Sequence, residues 1–264
     1  MSHFAVAVFT DESTSVDSLL EPYYEGLEVD KYLSRTRDEL LKRAREELEE
    51  FKKERYSEYL KDPEAYLQNH CRGNRNDPHF VYISTEFLNR YNESDEEVLK
   101  REYEYYSEDM IDEEGNVYST YNPESKWDWY SEGGRFSGML MSRKEKGNFD
   151  ALPVKDIDFL KMRGAEKESL RPYDEAISDG FYKPEYLKRL YPTPEVYEKI
   201  QTEFWTRAVI TPDGEWHELG RMGWFGMSSE EPEDTLEWVE KYYERFIEPA
   251  IENGWTLNII DCHI

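Results

Sequence analysis

The sequence predicts an α+β fold with a ferredoxin-like β-α-β-β-α-β core and one large, mostly helical insertion. Three observations support this fold class: a strand-like apolar run opens the chain, two strands joined by a tight turn occupy residues 205–219, and a helix followed by a strand ends it. A helix with a clear start signal follows the first strand. This order is the β-α-β-β-α-β plan, in which the first and last strands are antiparallel neighbours.

The first strand and the first helix are indicated by their residue patterns. Residues 4–9 are apolar on both faces, which is typical of a central strand. Residues 36–39 have the S/T-x-x-E form of a capping box, which starts a helix. Apolar residues then recur at helical spacing and predict a helix to about residue 60; they are Leu41, Ala44, Leu48 and Phe51.

Residues 61–203 form the predicted insertion between the first helix and the second strand, and they are rich in aromatic residues. A second capping box at residues 94–97 predicts another helix. Between residues 112 and 149, glycine, asparagine and aromatic residues replace helix formers, which predicts loops with short strands. We therefore expect a single domain over residues 1–264, whose core comes from about residues 1–60 and 204–264.

The C-terminal part of the chain predicts the rest of the core. Strand-like residues 205–210 and 215–219 flank a turn with proline and glycine in favourable positions. An amphipathic helix is predicted over residues 232–248, and the last strand over residues 255–261. Because the first and last strands are expected to be neighbours, His3 should lie near the terminal Asp261-Cys262-His263.

Composition excludes several classes of protein. The formal net charge of −26 argues against direct binding to nucleic acid, because phosphate contacts need clustered Lys and Arg. No run approaches the ~20 apolar residues that span a bilayer, so no membrane association is expected. Two cysteines are too few for a disulfide scaffold and fit a reducing cytoplasm. Apolar residues make up only 38%, but an aromatic content of 15% can still supply a core.

The segment 127–136 surrounds the Gly133-Gly134 pair with large rings, which must either pack or bind something, because exposed apolar surface costs about 25 cal/mol per Å². One interpretation is a ligand pocket in which Arg135 offers a planar fork to a phosphate or carboxylate. The other is an aromatic plug on the sheet, with Arg135 paired to Asp128. The candidate ligand-binding residues are Trp127, Asp128, Trp129, Tyr130, Gly133, Gly134, Arg135, Trp216 and Trp224.

The terminal cluster of His3, Asp261, Cys262 and His263 contains nucleophile, base and ligand types. Strand alternation places Asp261 and His263 on one face and Cys262 on the other, which argues against a Cys–His dyad. The candidate catalytic residues are therefore His3, Asp261 and His263. They are also candidates for a metal site, but a fourth ligand is not evident, and no motif identifies a cofactor. The alternative is a buried polar network.

The chain resembles a family of uncharacterised proteins found in bacteriophages, actinobacteria and other bacteria. The resemblance rests on the N-terminal MSHF, residues 118–136, residues 216–226 and the C-terminal DCHI, with looser similarity over residues 27–66. Relatives often carry tryptophan where this chain has Phe136 and Phe225. The resemblance implies a phage-type accessory protein in a bacterial host cytoplasm, and many such proteins act against host defences.

Three functions follow as hypotheses. The first is binding of a small, nucleotide-derived ligand in the aromatic and arginine pocket, which would sequester a host defence signal. The second is a hydrolase of such a ligand that uses His and Asp, with or without a metal. The third is an acidic inhibitor that docks on a basic surface of a host defence protein. The expected partner is thus a small molecule or a host defence protein.

Overall fold

A computed structural model describes residues 2–178, 180, 182–221 and 228–264. They combine helices with a mixed sheet, as the predicted α+β class requires. Two compact units are present. The sheet unit comprises Met1–Leu27 and Tyr121–Ile264, and the helical unit comprises Glu28–Thr120.

The strands, in chain order, are β1 (His3–Thr10), β2 (Tyr32–Arg35), β3 (Val117–Ser119), β4 (Trp129–Glu132), β5 (Leu140–Met141), β6 (Asn148–Phe149), β7 (Ala151–Pro153), β8 (Ala208–Ile210), β9 (Trp216–Glu218) and β10 (Thr256–His263). The helices are α1 (Val16–Leu20), α2 (Arg37–Phe51), α3 (Ser57–Lys61), α4 (Pro63–Cys71), α5 (Pro78–Val81), α6 (Phe87–Tyr91), α7 (Asp95–Tyr103), α8 (Phe159–Ser169), α9 (Tyr173–Ala176), α10 (Pro184–Leu190), α11 (Pro194–Thr202), α12 (Pro232–Tyr242) and α13 (Glu248–Asn253). Three π-helical turns continue one helix into the next, at Lys52–Tyr56, Tyr82–Glu86 and Tyr243–Ile247.

The main sheet has the order β4-β10-β1-β8-β9, and β7 also pairs with β10. The expected antiparallel pairing of the first and last strands is confirmed, with His3 opposite His263. The ferredoxin-like core is not confirmed, because β8 lies directly beside β1 and runs parallel to it, whereas a split β-α-β plan separates these two strands. The fully buried, apolar β8 suits a central position, while the half-buried, polar β9 suits an edge.

Apolar side chains cover both faces of the sheet unit's central strands. One face of β1 and β10 carries Phe9, Leu257 and Ile259, which pack with Tyr242 and Phe246 from the α12–α13 segment. The other face packs with α1 and with Trp127; it carries Val6, Val8, Ile260 and Cys262. The sheet is therefore a buried central layer, and its polar groups are placed at the strand ends.

The division into units differs from the expected domain boundaries. The helix that starts at Thr36 belongs to the helical unit, whereas residues 121–203 supply β4 and β7 to the sheet. Residues 10–34, for which the sequence predicts no helix or strand, contain α1 and part of β2. Pairing with distant strands produces these differences, and local sequence carries no signal of such pairing.

The helical unit begins its helices where the sequence predicts. Thr36 and Ser94 both form complete capping boxes, at the starts of α2 and α7. Ala44, Leu48 and Val98 pack with aromatic side chains from α4 to α6, and β2 pairs with β3. Among the described residues, none of the helices combines the length and apolar character needed to cross a membrane.

Candidate functional site

The predicted His–Asp cluster forms where β1 begins and β10 ends. The Nδ1 atom of His3 lies 2.9 Å from Oδ1 of Asp261. The rings of His3 and His263 meet edge to face, with their centroids 5.1 Å apart. Both side chains of the His3–Asp261 pair are withdrawn from water, with exposed fractions of 10% and 2%. The antiparallel pairing of β1 with β10 therefore creates a sheltered pair of imidazoles.

A tight turn after β4 holds the second oxygen of Asp261. The backbone N–H of Arg135 donates a hydrogen bond to Oδ2 of Asp261 at 2.9 Å. Gly134 adopts a left-handed φ of 51°, and a Cβ there would lie 2.5 Å from the carboxylate of Asp261 and from Oγ of Ser131. The absence of a side chain at Gly134 is what allows the backbone to approach the carboxylate so closely.

His263 is oriented by a different carboxylate. Its Nδ1 atom lies 2.6 Å from Oδ1 of Asp128. The backbone N–H of Asp128 donates to the carbonyl of His263 at 3.0 Å, which fixes the two residues relative to each other. Trp129 stacks on the imidazole at a centroid distance of 5.1 Å and an angle of 17°. The Nε2 atom of His263 is buried and has no hydrogen-bond partner among the described residues.

Both histidines thus share one pattern of contacts. An ionised carboxylate only accepts hydrogen bonds, so the Nδ1 that faces it carries a proton. Nε2 is then the nitrogen left for exchange of a proton with a ligand. In general acid–base catalysis, the side chain that accepts or donates the proton is commonly held in place by a second group, such as a carboxylate. The structure brings together the three predicted catalytic residues and adds Asp128 as the orienting partner of His263.

Several predicted ligand-binding residues belong to the packed part of the sheet unit. Trp127 is only 7% exposed, its indole N–H donates to the carbonyl of Leu20 at 3.1 Å, and its ring packs on Tyr24. The hydroxyl of Tyr130 donates to a carboxylate oxygen of Asp17, and burial together with this bond raises the pKa of Tyr130 to about 12. These two rings are packed within the sheet unit and support its fold.

Trp216 also packs within the sheet unit. Its ring lies 4.9 Å from that of Tyr23, and its indole N–H donates to Glu218 at 3.1 Å. Trp224 lies outside the described residues.

Two residues of the predicted set remain available to a ligand. The Trp129 side chain is 44% exposed, although one face of its ring covers His263. Arg135 is exposed, and within the described part of the chain its guanidinium makes no ion pair. Asp128, which the aromatic-plug interpretation assigned to Arg135, is instead paired with His263. Trp129 begins β4 and contacts the rings of both His3 and His263. Arg135 lies in the turn after β4 and is held at the site through its backbone N–H, which donates to Asp261.

The carboxylate of Asp150 holds the turn that follows β4, and no sequence pattern predicted this role. Its carboxylate accepts the N–H of Gly138 at 2.5 Å and the hydroxyl of Ser137 at 3.1 Å. A Cβ at Gly133 would meet this carboxylate at 2.5 Å. The role of Asp150 depends on β7 lying beside β10, where the N–H of Ile259 donates to the Asp150 carbonyl. A contact set by strand pairing of this kind has no local pattern.

A cavity of about 390 Å³ opens beside the same turn. Gly138 is one of its lining residues, and its walls combine polar and apolar side chains. The apolar ones are Met139, Met141, Met162, Ile200, Phe204 and Trp205, and the polar ones are Asn148, Glu166, Gln201, Thr202 and Glu203. Arg135 is not among the residues that line it. This cavity is therefore distinct from the aromatic and arginine pocket that the sequence predicted.

The cysteine of the terminal cluster is on the far side of the sheet. Cys262 is completely buried in the apolar face opposite Asp261 and His263, as strand alternation predicted. Burial raises the pKa of the Cys262 thiol, and it also raises the pKa of the Cys71 thiol. Since the thiolate is the reactive form, neither cysteine is suited to act as a nucleophile in the folded protein.

We expect a thiol reagent such as DTNB to label neither cysteine of the native protein, because both thiols are buried and protonated. In denaturant both thiols should react. Absorbance at the thionitrobenzoate maximum, read with and without guanidinium, measures the number of reactive groups. Rapid labelling of one thiol in the native state would contradict the placement of Cys262 within the sheet.

The predicted metal candidates do not form a ligand set. Within the described ranges, no group of three or more His, Cys, Asp or Glu side chains is placed to hold a metal ion. Each histidine instead directs its Nδ1 atom at one carboxylate. Both Nδ1 atoms are thus occupied by a contact with a carboxylate.

Comparison with known proteins adds no relative: no family model, no curated protein and no solved structure matches the chain. Function therefore has to be inferred from the geometry of the site.

Proposed function

We propose that this protein is a hydrolase of a small, nucleotide-derived ligand and that His3 and His263 exchange protons with that ligand. One observation carries the proposal: two imidazoles in ring contact each have Nδ1 bound to a separate carboxylate. This arrangement can supply one base and one acid within a single site. A positioned acid or base contributes about 10²–10⁴-fold to a reaction rate.

The proposed reaction needs both histidines in different protonation states. Nε2 of one imidazole accepts a proton from the attacking water, and Nε2–H of the other donates a proton to the leaving group. One molecule of water is consumed, and the two histidines return to their starting states by proton exchange with solvent. Asp261 and Asp128 keep both rings in the tautomer that presents Nε2.

The unpaired nitrogen of His263 supports a bound ligand. A buried polar atom without a partner costs about 1–3 kcal/mol, so such atoms are uncommon in folded proteins. A ligand atom that reaches Nε2 of His263 would recover this free energy. Arg135 and Trp129 would add a cation and an exposed ring face beside it, which suits an anionic ligand with a planar group.

Binding without turnover is the second candidate. The free guanidinium of Arg135 favours it, because one cation and one ring can hold a nucleotide without any proton transfer. On this view the protein would sequester its ligand, and the phage-type context implied by the resemblance would make that ligand a host defence signal. The acidic-inhibitor hypothesis has only the net charge of −26 in its favour.

A turnover assay with histidine variants tests the proposal. The full chain, in buffer with EDTA, is incubated with cyclic nucleotides, cyclic dinucleotides and nucleoside mono-, di- and triphosphates, and products are separated by chromatography. We expect turnover of at least one of these ligands. H3Q and H263Q should lose that turnover while a thermal shift shows that they still bind the ligand.

His217 supplies the matched control. It lies on β9, where its ring packs 5.2 Å from that of Phe246 and makes no contact with the His3–His263 pair. H217Q should retain wild-type turnover. Binding by the wild type without any turnover would overturn the hydrolase in favour of sequestration, and wild-type turnover by both site variants would overturn the roles of His3 and His263.

A further inference from the structure

We infer that the bond broken at the His3–His263 site is a phosphodiester, and that Arg135 binds the charged phosphoryl oxygens. This inference rests on the proposed function and adds the class of substrate to it. Two properties of the described site carry it: the balance of charge around the two imidazoles, and the presence of an acid as well as a base.

The described site offers a ligand one cation that is not already paired, the guanidinium of Arg135. Asp261 and Asp128 contribute two carboxylates, each of which faces a histidine. The backbone N–H of Arg135 donates to Asp261, and its exposed guanidinium makes no ion pair within the described residues. A phosphodiester carries one negative charge per phosphate, and one guanidinium binds two of its oxygens through parallel hydrogen bonds. The histidine that acts as the acid adds one further positive charge, which offsets one of the two carboxylates.

Substrates with more charge fit this site poorly. A phosphate monoester carries up to two negative charges near pH 7, and a nucleoside triphosphate carries more. Each additional charge would lie near Asp128 and Asp261 in a chain whose net charge is already −26. The electrostatic field of such a chain repels anions, so every uncompensated charge weakens binding.

The leaving group supplies the second argument. When water attacks the phosphorus of a diester, the P–O bond to one ester oxygen breaks and an alkoxide must leave. An alkoxide is strongly basic and leaves readily only when an acid protonates it. One histidine takes the proton of the attacking water, and the other gives its proton to the departing oxygen. The products are a phosphate monoester and an alcohol, and no other reactant is needed.

The test compares ester classes on the full-length protein. The probes are bis(4-nitrophenyl) phosphate, 2′,3′-cyclic AMP, 3′,5′-cyclic AMP and cyclic di-AMP as diesters, with 4-nitrophenyl phosphate as the monoester and ATP as the polyphosphate. We expect hydrolysis of at least one diester, with kcat/KM at least about 100-fold above the values for the monoester and for ATP. That ratio corresponds to about 2.7 kcal/mol.

Variants at Arg135 test its role. R135A should lower kcat/KM for the diester by about 10- to 100-fold, as expected for loss of a hydrogen bond to a charged group. R135K should recover part of this loss, because it restores the charge without the planar fork. K155A is the matched control. Lys155 is exposed and follows Val154, whose N–H donates to the carbonyl of Trp255 just before β10. Trp255 precedes His263 by eight residues, which is about 26 Å at 3.3 Å per strand residue.

The outcomes separate this inference from the proposed function. Preferred hydrolysis of the monoester or ATP that is lost in H3Q and H263Q would overturn the diester assignment and leave the acid–base site intact. Diester hydrolysis that R135A leaves unchanged would overturn the role of Arg135. Diester hydrolysis that both histidine variants retain would overturn the proposed function itself, and hydrolysis of no probe would overturn both.

Discussion

Replacement of Asp261 by alanine is expected to lower the free energy of unfolding by about 2–6 kcal/mol, because it leaves two buried donors without an acceptor at about 1–3 kcal/mol each. The Asp261 side chain is 2% exposed and is hydrogen-bonded through both oxygens, to His3 and to the backbone N–H of Arg135. Alanine leaves both donors without an acceptor in a site that water does not reach freely.

Asparagine at the same position separates stability from activity. D261N keeps the volume of the side chain, but its NH2 group must face one of the two donors, so we expect a smaller loss of about 1–3 kcal/mol. Because the amide is uncharged and accepts through only one oxygen, it no longer fixes His3 as the carboxylate does. We therefore expect D261N to lose most of its turnover while it keeps most of its free energy of unfolding.

Urea unfolding, monitored by tryptophan fluorescence, measures these losses of stability in the sheet unit. The helical unit, Glu28–Thr120, contains no tryptophan in its sequence, and the described tryptophans lie in the sheet unit, so the fluorescence signal reports unfolding of the sheet unit. D174A is the control, since Asp174 is exposed on α9 of the same unit, and a surface substitution there should stay within about 0.5 kcal/mol. A D261A midpoint equal to that of D174A would show that the Asp261 contacts do not stabilise the fold.

Local sequence patterns were sufficient to predict that His3, Asp261 and His263 lie together. The two terminal strands could be recognised from apolar runs, and their antiparallel pairing brings His3 to Asp261 and His263. Alternation of side chains along β10 then places Cys262 on the face of the sheet opposite Asp261 and His263. These conclusions need only two facts: side chains alternate between the faces of a strand, and the first and last strands are neighbours. Both can be inferred from the residue pattern.

The rest of the site depends on pairings that no short segment encodes. The sequence indicated aromatic packing around residues 127–136, but it gave no sign that β4 is the strand that pairs with β10. That pairing directs Asp128 to His263 and leaves Arg135 unpaired within the described residues. The hairpin of β8 and β9 likewise extends the sheet outward from β1, and this choice fixes the order of strands.

The turn that carries Arg135 depends on a glycine, and G134A is expected to lower the free energy of unfolding by about 2–5 kcal/mol. A left-handed φ costs a residue with a Cβ about 1–2 kcal/mol, and Gly134 has a φ of 51°. The new methyl group would also lie 2.5 Å from Asp261 and Ser131, which adds the cost of overpacking, about 1–3 kcal/mol. Urea unfolding monitored by tryptophan fluorescence measures the sum.

A second glycine isolates the two contributions. Gly214, in the turn between β8 and β9, has a φ of 85°, but a Cβ there would meet no atom within 4 Å. G214A should therefore show only the conformational cost, about 1–2 kcal/mol. Equal losses in the two variants would mean that the carboxylate moves aside freely and that the contact between turn and Asp261 is loose. A larger loss in G134A measures how firmly the carboxylate is held, and the same displacement should reduce turnover because His3 is oriented by that carboxylate.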